Sequence, residues 1–287
     1  MTQNDFSHGH WLIVSDLDGT LLDHCDYSHG PVDRLLEQLD RHGVPVLLNS
    51  SKTRAEMLDL RRELSNRHPF IVENGSAIFI PADYFPEKPA AARNRGDFWI
   101  IEPGAPHKEL LAYLQGDARE HGAPYLHFSA ASADELAVAT GLQPDQAAAA
   151  QRREYSEPLL WRGSEAEKRA FRRRAASAGF RTLEGGRFLH LLGPTDKGAA
   201  TLQLLDCYRH CRPGDYRLIA AGDSPNDLDM LAAADVAVIV RPQHGAAPVL
   251  EDDSTRRVIH SRHRGPAGWR ECIEPLFAPL FSDLKPQ

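Results

Sequence analysis

Residues 11–22 constrain the fold more than any other stretch. They read Trp-Leu-Ile-Val-Ser-Asp-Leu-Asp-Gly-Thr-Leu-Leu. An apolar run stops at two carboxylates, Asp16 and Asp18, and Gly19 and Thr20 follow at once. The run is short and rich in branched residues, which predicts a buried strand over 12–15. Its end presents Asp16 where open α/β sheets bind ligands. Strand side chains alternate, so Asp16 and Asp18 share a cleft only if the chain stays extended for two more residues. Gly19 then permits a turn. Taken alone, the pattern is equally well a strand ending in a polar turn, and distant parts of the chain must decide.

The first third alternates strand and helix. Val32, Leu35, Leu36 and Leu39 repeat at helical spacing behind Pro31, and Gly43 suits the stop. A strand is expected over 44–48, running into Asn49-Ser50-Ser51-Lys52-Thr53, where a helix begins. A helix N-terminus is a natural anion site, and the Ser50 hydroxyl serves either that anion or a helix cap. A third strand over 70–75 carries Asn74 into a turn, and 77–80 reads as its return strand. From 82 to 104 the composition turns to Pro, Ala, Arg and Asp without periodicity, which predicts a linker.

The middle reads as a separate unit. Helices are expected over 108–114, 133–142, from Pro144 onward, and over 164–178. Residues 153–159 read as strand or loop, and strands over 180–183 and 187–192 are joined by Gly185-Gly186. Residues 151–190 hold ten Arg/Lys against five Asp/Glu, although the whole chain carries a net charge of −7. That asymmetry hints at an anionic ligand. The Arg172-Arg173-Arg174 run reads as a solvated helix face, whereas Arg187, beside the double-glycine turn, is the better ligand candidate.

The last third alternates again. Lys197 opens a helix containing Leu202, Leu204 and Leu205. A strand over 216–221 runs into Gly222-Asp223-Ser224-Pro225-Asn226-Asp227, with a helix over 228–233, a strand over 236–240 and a closing helix from Gly265. Strands that alternate with helices predict a parallel sheet and an α/β fold.

Composition narrows the function. The chain is 287 residues long, 42% hydrophobic and 25% charged, as a soluble globular protein would be. Its acidic balance argues against a general nucleic-acid binder. No apolar run approaches the roughly 20 residues needed to span a bilayer, so no membrane partner is expected. Residues 1–10 are polar and lack a signal-peptide core, so a cytoplasmic location is expected. The four cysteines, Cys25, Cys207, Cys211 and Cys272, do not have zinc-site spacing and read as packing or surface thiols.

Three strand ends now combine: Asp16/Asp18, Ser50/Ser51/Lys52 and Asp223/Asp227, with Lys197 at a helix start. Carboxylates with few nitrogen or sulfur groups suit Mg²⁺, and Asp16, Asp18, Asp223 and Asp227 are its candidate ligands. Asp16 would be the nucleophile and form an aspartyl-phosphate. Ser50 and Lys197 would hold the oxygens of the phosphoryl group in transfer, and Asp18 would act as acid and base. Ser51, Lys52, Asn74 and Asn226 are expected at the substrate.

These motifs resemble, in order and content, the four motifs of the haloacid dehalogenase superfamily phosphatases. The resemblance implies a Rossmann-like parallel-sheet core over 1–83 and 193–287, with an α/β cap domain inserted over 84–192. Further matches at Ser50-Ser-Lys-Thr-Arg-Ala-Glu, Pro69-Phe-Ile-Val-Glu-Asn-Gly75, Arg153-Glu-Tyr-Ser-Glu157-Pro158, Gly186-Arg-Phe-Leu-His190 and Gly265-Pro-Ala-Gly-Trp269 are similar to the mannosyl-3-phosphoglycerate phosphatase family. That resemblance implies Mg²⁺-dependent release of phosphate from a small phosphorylated glycosyl-glycerate. Arg153 and Arg187 would pair with its carboxylate, and Glu157 would accept sugar hydroxyls. The rival readings are a glucosyl-3-phosphoglycerate or general sugar-phosphate phosphatase, a phosphomutase, and a non-catalytic phospho-sugar sensor. Retention of both Asp16 and Asp18 speaks against the sensor.

Overall fold

A computed structural model describes residues 6, 9–185, 188–251 and 253–282. Its strands, in chain order, are β1 (His10–Ser15), β2 (Val46–Asn49), β3 (Phe70–Val72), β4 (Ala77–Pro81), β5 (Arg93–Arg95), β6 (Phe98–Ile101), β7 (Tyr125–His127), β8 (Ser156–Trp161), β9 (Arg181–Gly185), β10 (Phe188–Leu192), β11 (Tyr216–Gly222), β12 (Val236–Arg241) and β13 (Arg257–Arg264).

Nine strands form one sheet in the order β13-β12-β11-β1-β2-β3-β4-β6-β5. From β13 to β3 every pairing is parallel, and β4, β6 and β5 extend the sheet antiparallel. The chain moves outward from β1 through β2 and β3, then returns to place β11 on the other side of β1. Strand order therefore reverses at β1/β11, where open α/β sheets leave a crevice beyond the strand ends. Ser15 lies opposite Ala221, so Asp16 and Asp223 both emerge at that crevice.

Both faces of β1 are covered. Trp11 and Ile13 pack on one side with Leu35, Leu39, Trp269 and Phe277, and Leu12 and Val14 pack on the other with Leu204, Tyr208 and Met230. Two buried faces explain why the strand is apolar at successive positions rather than alternating. Helices Asp33–Arg41 and Gly265–Ser282 supply the first layer, and Lys197–Cys211 contributes to the second. No helix among the described residues is long and apolar enough to cross a membrane.

The second sheet, β7-β8-β10-β9, is wholly antiparallel. Leu159, Leu189 and Leu191 pack one face against Leu110, Leu114 and Phe171 of helices His107–His121 and Glu165–Ser177. This sheet and its two helices lie inside the span expected for the cap. Its expected start at residue 84 needs correction, because β5 and β6 continue the large sheet through β4. The composition change after Pro81 marks a sheet edge, where β5 is too exposed to show a strand's apolar pattern. The chain leaves the core near Gly104 and returns at Gly193, and the two connections touch. A Cβ built on Gly193 would lie 2.3 Å from the Ala105 nitrogen. Strands β7 and β13 are likewise not expected from the sequence. The first has three residues and the second is mostly exposed and polar.

One turn fixes the core's geometry. Gly75 has φ +92°, and a Cβ there would lie 2.0 Å from the backbone oxygen of Asp196. Gly75→Ala should therefore lower the thermal unfolding temperature and activity together. Gly116, exposed in helix His107–His121 with open space around it, gives the opposite sign. Gly116→Ala should stabilise by about 0.5–1 kcal/mol in chemical denaturation. Equal behaviour of the two variants would contradict this packing.

Candidate active site

Lys197 organises the crevice. Its Nζ lies 2.5 Å from Asp16 Oδ1 and 2.7 Å from Asp227 Oδ1, and its side chain is fully buried. It occupies the first position of its helix, where the Asp196 side chain caps the turn by accepting from Ala199 N. The Asn49 amide, at the end of β2, donates to the Lys197 carbonyl and to Thr201 Oγ1. The helix start is thereby tied to the strand beside β1.

The loop after β11 is ordered by Asp227. Its Oδ2 accepts from the backbone nitrogens of Asp223 and Ser224, while Oδ1 faces Lys197. Asp223 in turn accepts from Thr20 Oγ1 at 3.2 Å. Gly19, at φ +84°, lets this approach happen, since a Cβ there would fall 2.6 Å from Asp223 Oδ2. Asp16, Asp223 and Asp227 each bring a carboxylate oxygen within 4.8 Å of the others.

Three buried carboxylates face one ammonium. Burial, followed by repulsion from Asp227, raises Asp16 to about 7 despite Lys197. Burial, followed by Asp16 and Asp227, raises Asp223 to about 8. Burial opposes the charge of Lys197, but its two carboxylate partners outweigh that and its pKa is raised. The cluster is thus short of positive charge and offers only oxygen donors. A hard divalent cation fits such a donor set.

The expected residues separate into three groups. Asp16, Lys197, Asp223 and Asp227 come together as anticipated. Asp18 does not join the carboxylate cluster. The chain turns after Asp16, Thr20 N and Leu22 N both donate to the Leu17 carbonyl, and the Asp18 carboxylate pairs with Lys52 Nζ at 2.9 Å. Lys52 is therefore Asp18's partner, and it also lies 4.7 Å from the Tyr27 ring centroid. Ser50 is buried at the end of β2, and its hydroxyl accepts from Lys52 N. It does not cap the following helix, because Thr53 does so in a capping box with Glu56. Asn74 Oδ1 accepts from Asn226 Nδ2 at 3.3 Å, and Asn74 N donates to the Ser50 carbonyl.

The cap residues need more correction. Arg153 Nη1 donates to the Ser51 carbonyl at 2.6 Å and its Nε to Ala150, so it docks the cap onto the Ser50 turn. Glu157 is not a free acceptor for sugar hydroxyls. Oε1 accepts from His127 Nδ1 and Ser129 N, and Oε2 from His107 Nε2 and Ser129 Oγ. Burial works against its charge, but these donors prevail and hold it down at about 2. Its place across from Leu191 puts it on the sheet face turned to the cap's helices. Arg187 lies outside the described residues.

Sequence reasoning misses Glu73. It is fully buried and accepts from Glu154 N, Tyr155 N and Ser156 Oγ of the cap. Glu73 and Asn74 both sit at positive φ, +49° and +58°, which is uncommon for residues with a Cβ. The Asn-Gly pair that follows was the available signal for such a turn. Glu154 also bridges Arg54 and Arg95 of the core, each within 2.9 Å.

A fold and site of this kind define a haloacid dehalogenase-like hydrolase, and residues 13–91 match the model of that family. The chain belongs, more narrowly, to the glucosyl-3-phosphoglycerate/mannosyl-3-phosphoglycerate phosphatase family. It is 34% identical over 267 residues to the protein of that name from Methanococcoides burtonii, covering 92% of this chain and 96% of the relative. It is accordingly a phosphoric monoester hydrolase. Two solved structures share the fold. A Thermoplasma acidophilum protein aligns at TM-score 0.65 and 17% identity, over 94% of this chain and 99% of its own. The sucrose-phosphatase of Synechocystis sp. PCC6803, solved with sucrose and phosphate, aligns at TM-score 0.57 and 14% identity, over 94% and 98%.

The four donors around Glu157 make it a strut of the cap. Glu157→Leu would leave His107, His127 and Ser129 without their acceptor. It should cost about 3–5 kcal/mol, the usual consequence of breaking a buried charged pair, read as a loss in chemical denaturation. Replacement without loss of stability would contradict the strut assignment.

Proposed function

We propose that the protein removes phosphate from 2-O-mannosyl-3-phosphoglycerate, with the glucosyl analogue as the second substrate, and that it does so through a phosphoryl-aspartate on Asp16. The observation that carries the reading is the lysine held between Asp16 and Asp227 beside Asp223. The 34% identity over nearly the whole length of the relative, whose name includes both sugars, supports the substrate class.

Asp16 Oδ atoms face a fixed cation and attack phosphorus in line with the departing alcohol. Lys197 holds the Asp16 carboxylate in position and offsets its charge as the phosphate enters. Ser50 Oγ, which accepts from Lys52 N, donates its proton to a phosphoryl oxygen. Asp18 protonates the leaving alkoxide, then takes a proton from the water that hydrolyses the phosphoryl-aspartate. Lys52 fixes the orientation of Asp18. Mg²⁺, held by Asp16, Asp223 and Asp227, would supply the positive charge that the cluster lacks. Asn74 and Asn226 close the floor of the site, with Ser51 and Arg153 at the cap side. Arg187, which follows the Gly185-Gly186 pair in sequence, is retained as a proposed carboxylate partner. A phosphorylated anionic substrate fits the expected cytoplasmic location.

A phosphate-release screen tests the substrate. Mannosyl- and glucosyl-3-phosphoglycerate should exceed hexose phosphates in kcat/KM by at least about tenfold, a difference of 1.4 kcal/mol in transition-state binding. Preference for a simple hexose phosphate would contradict the reading. Chelation by EDTA should abolish turnover and added Mg²⁺ restore it, so full activity in chelator would exclude the metal.

A further inference from the structure

The cap presents one buried polar side chain toward the core that nothing described so far uses. His190 lies in β10 between Leu189 and Leu191, which pack into the cap's own core with Leu110, Leu114, Leu159 and Phe171. Alternation turns His190 to the other face of the sheet. Its partner across β8 is Pro158, two residues from Ser156, whose hydroxyl donates to Glu73 of the core. Phe188, on the same face, stacks edge-on with Phe128.

His190 is 6% exposed, and its Nδ1 is buried without a hydrogen-bond partner among the described residues. Burial, then the cations of Arg153 and Lys197, hold the imidazole down at about 3, against a smaller opposite pull from Glu157. It is therefore neutral and carries one N–H and one acceptor nitrogen. Buried polar atoms without partners are few in native proteins, and functional sites are one reason they persist. The charges of Arg153 and Lys197 both act on this ring, and Lys197 holds the nucleophile. A substrate oxygen reaching this face of the cap sheet would find an unpaired nitrogen.

We propose that His190 is a specificity-determining residue that donates from Nδ1 to the carboxylate of the glycerate part of the substrate. The assignment rests on the proposed function and adds to it a contact on the part of the substrate that is not transferred. His190 reads that carboxylate, whereas Arg153 is already committed to the Ser51 carbonyl.

His190→Phe keeps a ring and removes the donor, and His190→Asn places an amide nitrogen near the Nδ1 position. In steady-state kinetics, His190→Phe should raise KM for mannosyl-3-phosphoglycerate about tenfold, the factor for 1.4 kcal/mol of binding. Its kcat should change less than about threefold, and its KM for p-nitrophenyl phosphate should stay at the wild-type value. His190→Asn should recover most of the loss. His190→Ala replaces the Phe variant if thermal melts show that variant unfolded. Equal KM changes on both substrates, no change on either, or an Asn variant no better than Phe would each overturn the proposal. A wild type inactive on both glycosyl esters overturns the proposed function alone. His190 is then read on 3-phosphoglycerate against p-nitrophenyl phosphate. A wild type that hydrolyses no carboxylate-bearing ester faster than p-nitrophenyl phosphate overturns both.

Discussion

The ammonium of Lys197, buried between Asp16 and Asp227, is the contact on which the rest of the site depends. One positive charge cannot balance three carboxylates gathered and buried in one crevice. The imbalance is visible in Asp16 and Asp223, both driven far above the ordinary range of a carboxylic acid. Such a cluster costs free energy on its own and is matched by ligands that bring positive charge. Distant chain segments must meet for it to form. The sheet brings them together at the one place where strand order reverses, so topology sets the chemistry before any side chain does.

The cap is coupled to this centre through the turn Glu73-Asn74-Gly75. Glu73 accepts from three donors of the cap, Asn74 binds the Ser50 carbonyl, and Gly75 lies against the residue that precedes Lys197. Successive left-handed residues store strain that the surrounding contacts must hold in place. The same turn therefore connects cap seating with the placement of Ser50 and Lys197. Arg153 adds a second tie at the Ser51 carbonyl. Arg153, which looks in sequence like a carboxylate ligand, serves here to seat one domain on the other, and Glu157, which looks like a sugar ligand, braces the cap from within.

What could be read from the sequence follows a physical division. Asp16, Lys197 and Asp223 were legible because each terminates or opens an element with a strong apolar pattern. Buried central strands such as β1 and β12 announce themselves in the same way. Edge strands do not. β5 and β13 are polar and exposed, so the core's sheet looked smaller and the cap began too early. Side-chain pairing was not legible either. Spacing could not tell that Asp18 would turn to Lys52, or that Glu157 would face the cap's helices and fill its acceptors there. His190 lies in the matched Gly186-Arg-Phe-Leu-His190 stretch, but its burial and its unpaired nitrogen were not legible, because they depend on a sheet assembled from distant strands.

The central claim is that Asp16 itself receives the phosphoryl group. Mass spectrometry of peptides from the enzyme, acid-quenched during turnover of mannosyl-3-phosphoglycerate, tests it most directly. A phosphoryl adduct on the peptide that carries Asp16, lost on hydroxylamine treatment and absent from Asp16→Asn, is the predicted result. Sustained turnover by Asp16→Asn, or an adduct confined to another residue, would contradict the account.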